Sequence, residues 1–169
     1  NAGYTGEGQT IAVIDSGTDA GHNWFGGQVT SEACFATTGE SAYRPTCPGQ
    51  GTTEDDVLRQ GPLFGPGTAM PPRWGWGVDP ALFGPSYHGT AVAGVVAGGE
   101  ARLLGFRVGR RGIAPNADLM AINTFGVFPD AYPALHVPDL AAALRWINGQ
   151  RQQRHIAAVN LSITTGSPK

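Results

Sequence analysis

Two residues of this sequence have the types and settings for acid–base chemistry. Asp15 closes the apolar run Thr10-Ile11-Ala12-Val13-Ile14, and His88 opens the small-residue run Gly89-Thr90-Ala91-Val92-Ala93-Gly94. A carboxylate beside an imidazole holds the ring in one tautomer and stabilises its protonated form, so the ring can act as a general base. Each residue alone has an ordinary role. An Asp after a strand is often a turn former, and a single His is often a satisfied structural residue. Placement distinguishes this pair, because in open α/β sheets sites form at the carboxyl ends of strands.

The elements that must position the two residues are legible in the hydrophobic pattern. Thr10–Ile14 is short, apolar and rich in β-branched residues, which predicts a buried, parallel strand. His88–Gly98 has small or apolar residues on nearly every side. Each Gly costs a helix about 1 kcal/mol relative to Ala, so a helix here must be buried where a neighbouring backbone approaches closely. Asp118–Phe125 reads as a second buried strand and Ile156–Ile163 as a third. Pro138–Gln153 is the best helix: Pro138 suits a first-turn position, Asp139 suits the positive helix N-terminus, and Leu140, Ala143, Leu144 and Ile147 share one face. Strand, helix, strand, helix, strand predicts an α/β fold with a parallel sheet. Between Gly17 and Tyr87 there is little periodicity, so residues 24–86 are expected to contain a long surface insertion with short strands near Gln28–Thr30 and Ala33–Ala36.

Composition bounds the function. The 169 residues are 41% hydrophobic, enough for a core, and 14% charged. With 13 acidic and 11 basic residues the net charge is −2, and the densest basic cluster, Arg107, Arg110 and Arg111, is short and has no interleaved aromatics. No nucleic-acid partner is expected. No apolar window is long enough for a membrane span. The start at Asn1-Ala2-Gly3, without an initiator Met or a signal pattern, reads as a processed or cut end. Cys34 and Cys47 lie in one polar, Gly- and Pro-rich stretch. A disulfide between them fits an oxidising compartment, with two free thiols as the alternative. A zinc site would need more ligands, and the four His are scattered.

Four segments, in order, resemble the subtilisin-like serine proteases. Ile11-Ala12-Val13-Ile14-Asp15-Ser16-Gly17 is similar to that family's aspartate motif, and His88-Gly89-Thr90-Ala91-Val92-Ala93-Gly94 to its histidine motif. Gly112-Ile113-Ala114-Pro115-Asn116-Ala117 resembles its Gly-Val-Ala-Pro turn, and Val159-Asn160-Leu161-Ser162-Ile163 its Asn-Met-Ser-Leu strand. Asp before His is the subtilisin order. Glu32-Ala33-Cys34-Phe35 and Cys47-Pro48-Gly49 resemble a bacterial secreted branch with a disulfide loop, although the second cysteine pair frequent in that branch is lacking.

The resemblance implies a three-layer α/β/α subtilisin-like fold with a parallel sheet, residues 1–169 forming the N-terminal half of one catalytic domain. It implies a secreted serine endopeptidase in which His88 is the general base and Asp15 orients it. Ser162, Ile163 and Thr164 would line the cleft and pair with an extended peptide or protein substrate, and Phe125, Gly126 and Val127 would form the opposite rim. Thr164 stands where the family has Gly, and would narrow the pocket.

Two departures qualify that picture. The family's aspartate motif often continues His-Pro-Asp, where the later Asp serves calcium. Here it continues His22-Asn23-Trp24, and Gly99–Gly112 holds only Glu100. No cofactor and no strong calcium site of that type are therefore expected, although carbonyl oxygens could still bind the ion. The second departure is the nucleophile: neither the Gly-Thr-Ser-Met-Ala segment nor the oxyanion Asn occurs in the sequence. The expectation is that both lie on a missing segment or a second, C-terminal chain, and that these residues alone are inactive. The alternatives are an inactive fragment, a non-catalytic peptide-binding module or an α/β small-molecule binder. The dinucleotide version of the last is poor, because Gly3, Gly6 and Gly8 precede the first strand, whereas the fingerprint follows it.

Overall fold

The computed structural model describes residues 3–36, 44–47, 62–71, 87–99, 102–103, 106–107, 111–127 and 133–163. In chain order the elements are β1 (Thr10–Asp15), β2 (Val29–Cys34), β3 (Arg44–Pro45), β4 (Leu63–Phe64), α1 (His88–Ala97), β5 (Arg102–Leu103), β6 (Phe106–Arg107), β7 (Asp118–Asn123), β8 (Phe125–Val127), β9 (Pro133–Leu135), α2 (Val137–Gln150) and β10 (Ile156–Leu161). The main sheet has the order β10-β1-β7-β2-β4. β1 is parallel to both β7 and β10, β7 is parallel to β2, and β4 is antiparallel to β2. A second small sheet has the order β3-β8-β9, and β5 pairs with β6.

Both faces of the main sheet are covered. Side chains alternate along a strand, so Ala12 and Ile14 of β1 join Met120 and Ile122 of β7 on one face, against Ala143 and Ile147 of α2. Val13 and Leu119 point to the other face, against Ala93 and Ala97 of α1 and Phe25. This is the three-layer α/β/α arrangement, and it explains why β1 and β7 read as unbroken apolar runs. The crossovers from β2 to β7 through α1 and from β7 to β10 through α2 step the same way across the sheet, yet their helices lie on opposite faces. They therefore have opposite hands, and one of them departs from the right-handed rule.

The small residues of α1 have specific causes. A Cβ at Gly94 would stand 2.7 Å from Trp24 Cε3, so the indole lies directly on the helix backbone. Phe25 beside it is fully buried. The close approach brings α1 near enough to the sheet for Ala93 and Ala97 to reach the core.

Three expectations change. The strands foreseen separately at Gln28–Thr30 and Ala33–Ala36 are one strand, β2, and it belongs to the main sheet rather than to a surface insertion. Its end is buried at Ala33 and Cys34 because β7 and β4 flank it. Helix α2 stops at Gln150, and turns through His155, whose φ is +50°, lead into β10. Leu144 is 37% exposed, and Trp146 instead packs against the core with Leu140, Ala143 and Ile147. The indole is drawn there by Phe35 and Phe64, with ring centroids 5.8 and 5.3 Å away.

Cys34 and Cys47 form a disulfide with a Cα–Cα distance of 5.6 Å, buried with Ala36 and against Leu63. It ties the carboxyl end of β2 to the residue that follows Thr46. Closing so short a loop stabilises by about 3 kcal/mol through the unfolded chain. Replacing both cysteines with Ala should lower the unfolding free energy by roughly that amount, seen as a lower denaturant midpoint, with a slope that rises as the unlinked unfolded chain expands.

Candidate functional site

The site is built at the carboxyl end of β1. Asp15 is 1% exposed and sits in register with Asn123 of β7. Its Oδ1 accepts a hydrogen bond from the backbone N–H of Ser16 at 2.7 Å. Helix α1 starts beside it, and His88 Nδ1 lies 2.8 Å from the same oxygen. A carboxylate only accepts, so Nδ1 carries the hydrogen and donates it, which leaves Nε2, across the ring from Asp15, as the nitrogen that can take a proton. The His88 side chain is 55% exposed while its partner is buried. The pair thus has a fixed inner end and an accessible outer nitrogen, the arrangement a general base requires.

Backbone contacts hold this geometry. Gly89 N–H faces Ser16 Oγ at 3.4 Å, and Asp19 N–H donates to Thr90 Oγ1 at 2.9 Å. The turn after β1 is therefore stitched to the first turn of α1. A Cβ at Gly89 would overlap the Gly17 carbonyl oxygen and approach Asp15 Cβ to 3.0 Å, so only Gly lets the helix start this close to Asp15. Asp15 Oδ2 is buried and has no hydrogen-bond partner among the described residues.

The other expected residues are placed as follows. Phe125 and Gly126 lie in β8, two and three positions past Asn123. β8 is the central strand of its sheet: Val127 and Gly126 pair with Arg44 and Pro45 of β3, and residues 125–127 pair with Leu135, Ala134 and Pro133 of β9. The outer edges of that sheet belong to β3 and β9, so a peptide joining it through main-chain bonds meets one of those strands rather than β8. Ser162 follows β10 and is exposed, its Oγ donating to Asn160 Oδ1 at 2.9 Å. Ile14 pairs with Leu161, so Ser162 comes next to Asp15 in the row. Ile163 packs against the core on the α2 side. Thr164 lies outside the described residues.

Several residues that shape the site are not evident from the sequence. Ser16 and Thr90 stand inside the two motifs, where only their neighbours carry a role. Asn123 reads as part of an apolar strand. It is fully buried, and an Asn closing an apolar run level with Asp15 is the available signal. Thr46, which hydrogen-bonds to Phe125 and Asn123, has no local signal at all.

In the turn after β1, Asp19 Oδ1 accepts from Gly21 N–H at 3.0 Å and His22 Nδ1 accepts from Trp24 N–H at 3.3 Å, so both side chains serve the turn itself. Among the described residues no group of three or more His, Cys, Asp or Glu side chains could hold a metal ion. No helix among them is long and apolar enough to cross a membrane.

The Gly89 contact yields an expected outcome. Gly89→Ala should cost about 1–3 kcal/mol of stability, as forced overpacking does, and should move His88 off Asp15. The first effect is read by thermal unfolding and the second by loss of the hydrogen-bonded Nδ1–H resonance in the proton NMR spectrum.

A search of curated proteins finds no match. The model of the subtilase family matches residues 6–169, from the approach to β1 through the end of the sequence. With that match spanning both the aspartate and the histidine segments, the chain belongs to the subtilase family.

Proposed function

We propose that this chain supplies two members of a Ser-His-Asp triad, with His88 as general base and Asp15 as its orienting carboxylate, in an endopeptidase that cleaves peptide bonds by acyl transfer. Family membership supports a serine-protease function in general. The observation that carries the finer reading is the 2.8 Å contact from His88 Nδ1 to a carboxylate that is 1% exposed. In the proposed reaction Nε2 takes the proton of a serine hydroxyl as the oxygen attacks the scissile carbonyl. Nε2 then returns that proton to the leaving amine. Asp15 stays ionised and stabilises the imidazolium in between.

The serine and the oxyanion donors then come from a segment outside these residues, or from a second chain that packs against β10. The edge strand β10 supports this. It pairs on one side with β1, and its Val159 and Leu161 are 39% and 46% exposed. An apolar sheet edge of this kind is normally covered or extended. The edge beside Ser162 and Ile163, and the outer strands of the β3-β8-β9 sheet, are the surfaces offered to an extended peptide, with Phe125, Gly126 and Val127 behind the second. A buried disulfide supports an extracellular or otherwise oxidising location.

The test is denaturing intact mass before and after a serine-reactive fluorophosphonate. A polypeptide containing or accompanying this chain that gains the probe mass supports the triad reading. A complete protein in which neither the polypeptide containing this chain nor any accompanying chain is labelled refutes it and favours a peptide-binding role. In the active enzyme, His88→Ala should lower kcat by about a millionfold, the loss that removing the base causes in subtilisin. Asp15→Asn, which keeps the shape but favours the wrong tautomer, should cost about ten-thousandfold. Both are checked by peptide hydrolysis, with circular dichroism to verify the fold.

A further inference from the structure

Asn123, Thr46 and Phe125 form a closed ring of hydrogen bonds one strand away from Asp15. Asn123 Oδ1 accepts from the Phe125 N–H at 3.0 Å. Asn123 Nδ2 donates to Thr46 Oγ1 at 3.0 Å, and that hydroxyl donates in turn to the Phe125 carbonyl oxygen. The donors and acceptors match without ambiguity: the hydroxyl has one hydrogen and uses it, while its lone pair takes the amide. Both backbone groups of Phe125 are thereby held by side chains.

The strand ladder gives a reason for this device. β3 has two residues, and one of them is Pro45, which has no N–H to offer β8. The hydroxyl of Thr46, the next residue, supplies a donor where the ladder runs out. Thr46 is itself held by its neighbour, because Cys47 is disulfide-bonded to Cys34 and Cys34 stands in register with Asn123. Across the sheet the row reads Asp15, Asn123, Cys34. Adjacent strands lie about 4.8 Å apart, so the disulfide is anchored two strands from the carboxylate.

The geometry points to Thr46 and Asn123, clamped by the Cys34–Cys47 disulfide, as positioning residues that fix β8, and with it the outer strands β3 and β9 that an extended peptide would meet, relative to Asp15. This rests on the peptidase reading above and adds a determinant of substrate binding to it. The clamp touches β8 and leaves the His88–Asp15 bond alone, so its loss weakens the grip on an extended peptide and spares the proton transfer.

The experiment compares Thr46→Val, which removes the hydroxyl at nearly constant shape, with Thr46→Ser, which keeps it, in the complete enzyme. With an extended peptide substrate, Thr46→Val should raise KM about tenfold, the size of one buried hydrogen bond, with kcat unchanged within about twofold. Thr46→Ser should restore the parent KM. A short ester that does not reach the β3-β8-β9 sheet should be hydrolysed equally by all three proteins. Reducing the disulfide of the parent, which alters no residue, should produce the same rise in KM and add little to Thr46→Val. Amide exchange at Gly126 and Val127 should quicken in Thr46→Val and in the reduced parent, a readout independent of cleavage.

Unchanged KM and unchanged exchange in Thr46→Val would overturn the positioning role while leaving the peptidase reading in place. Equal losses on ester and peptide would also overturn it, because they would mean general damage to the site. A parent enzyme that hydrolyses neither substrate would overturn the peptidase reading and the positioning role with it.

Discussion

A carboxylate removed from water must be hydrogen-bonded, and most of this structure follows from meeting that demand at Asp15. β1 carries the carboxylate to its carboxyl end between two parallel neighbours, where water cannot reach it. The Ser16 N–H and the His88 ring supply compensating donors, both to Oδ1. The second donor comes from a residue far along the chain, so it exists only when α1 docks against the sheet. Folding and formation of the site are therefore one event: the core contacts that seat α1 also deliver the imidazole.

The docking requires closeness, and closeness explains the cost the helix accepts. Gly89 lets the first turn rest on the Gly17 carbonyl, and Gly94 lets Trp24 lie on the helix backbone. A helix with larger residues at these points would stand off, and His88 would stand off with it. The missing side chains weaken the helix locally but shorten the distance on which the Asp15–His88 bond depends. Burial of Ala93 and Ala97 against Val13, Phe25 and Leu119 offsets the loss.

On the opposite flank of β1 the sheet ends, among the described residues, in β10 with its exposed apolar side chains. On the β7 side it ends in a disulfide-braced layer. The contrast is informative about division of labour. The β2–β4 side is closed by Phe35, Phe64, Trp146 and the cysteine pair. The β10 side, outermost of the described strands, leaves Val159 and Leu161 exposed.

Much of the fold and the central pair of the site was legible in the sequence. Strand β1 and strand β7 are buried on both faces, so their apolar runs are continuous and bounded by turn residues. The small-residue pattern after His88 fits a close-packed helix and little else. The Asp15 and His88 segments carry enough specific residues to reveal the family. Local signals of this kind survive because they depend on near neighbours in the chain. What tertiary structure decided was of another sort. It joined two separate-looking strands into β2 and put that strand inside the sheet. It turned Trp146 rather than Leu144 toward the core, and it closed the ring of Asn123, Thr46 and Phe125. Each of these depends on which strands become neighbours and in what register, and a hydrogen bond between residues tens of positions apart leaves no period or spacing in the sequence to announce it.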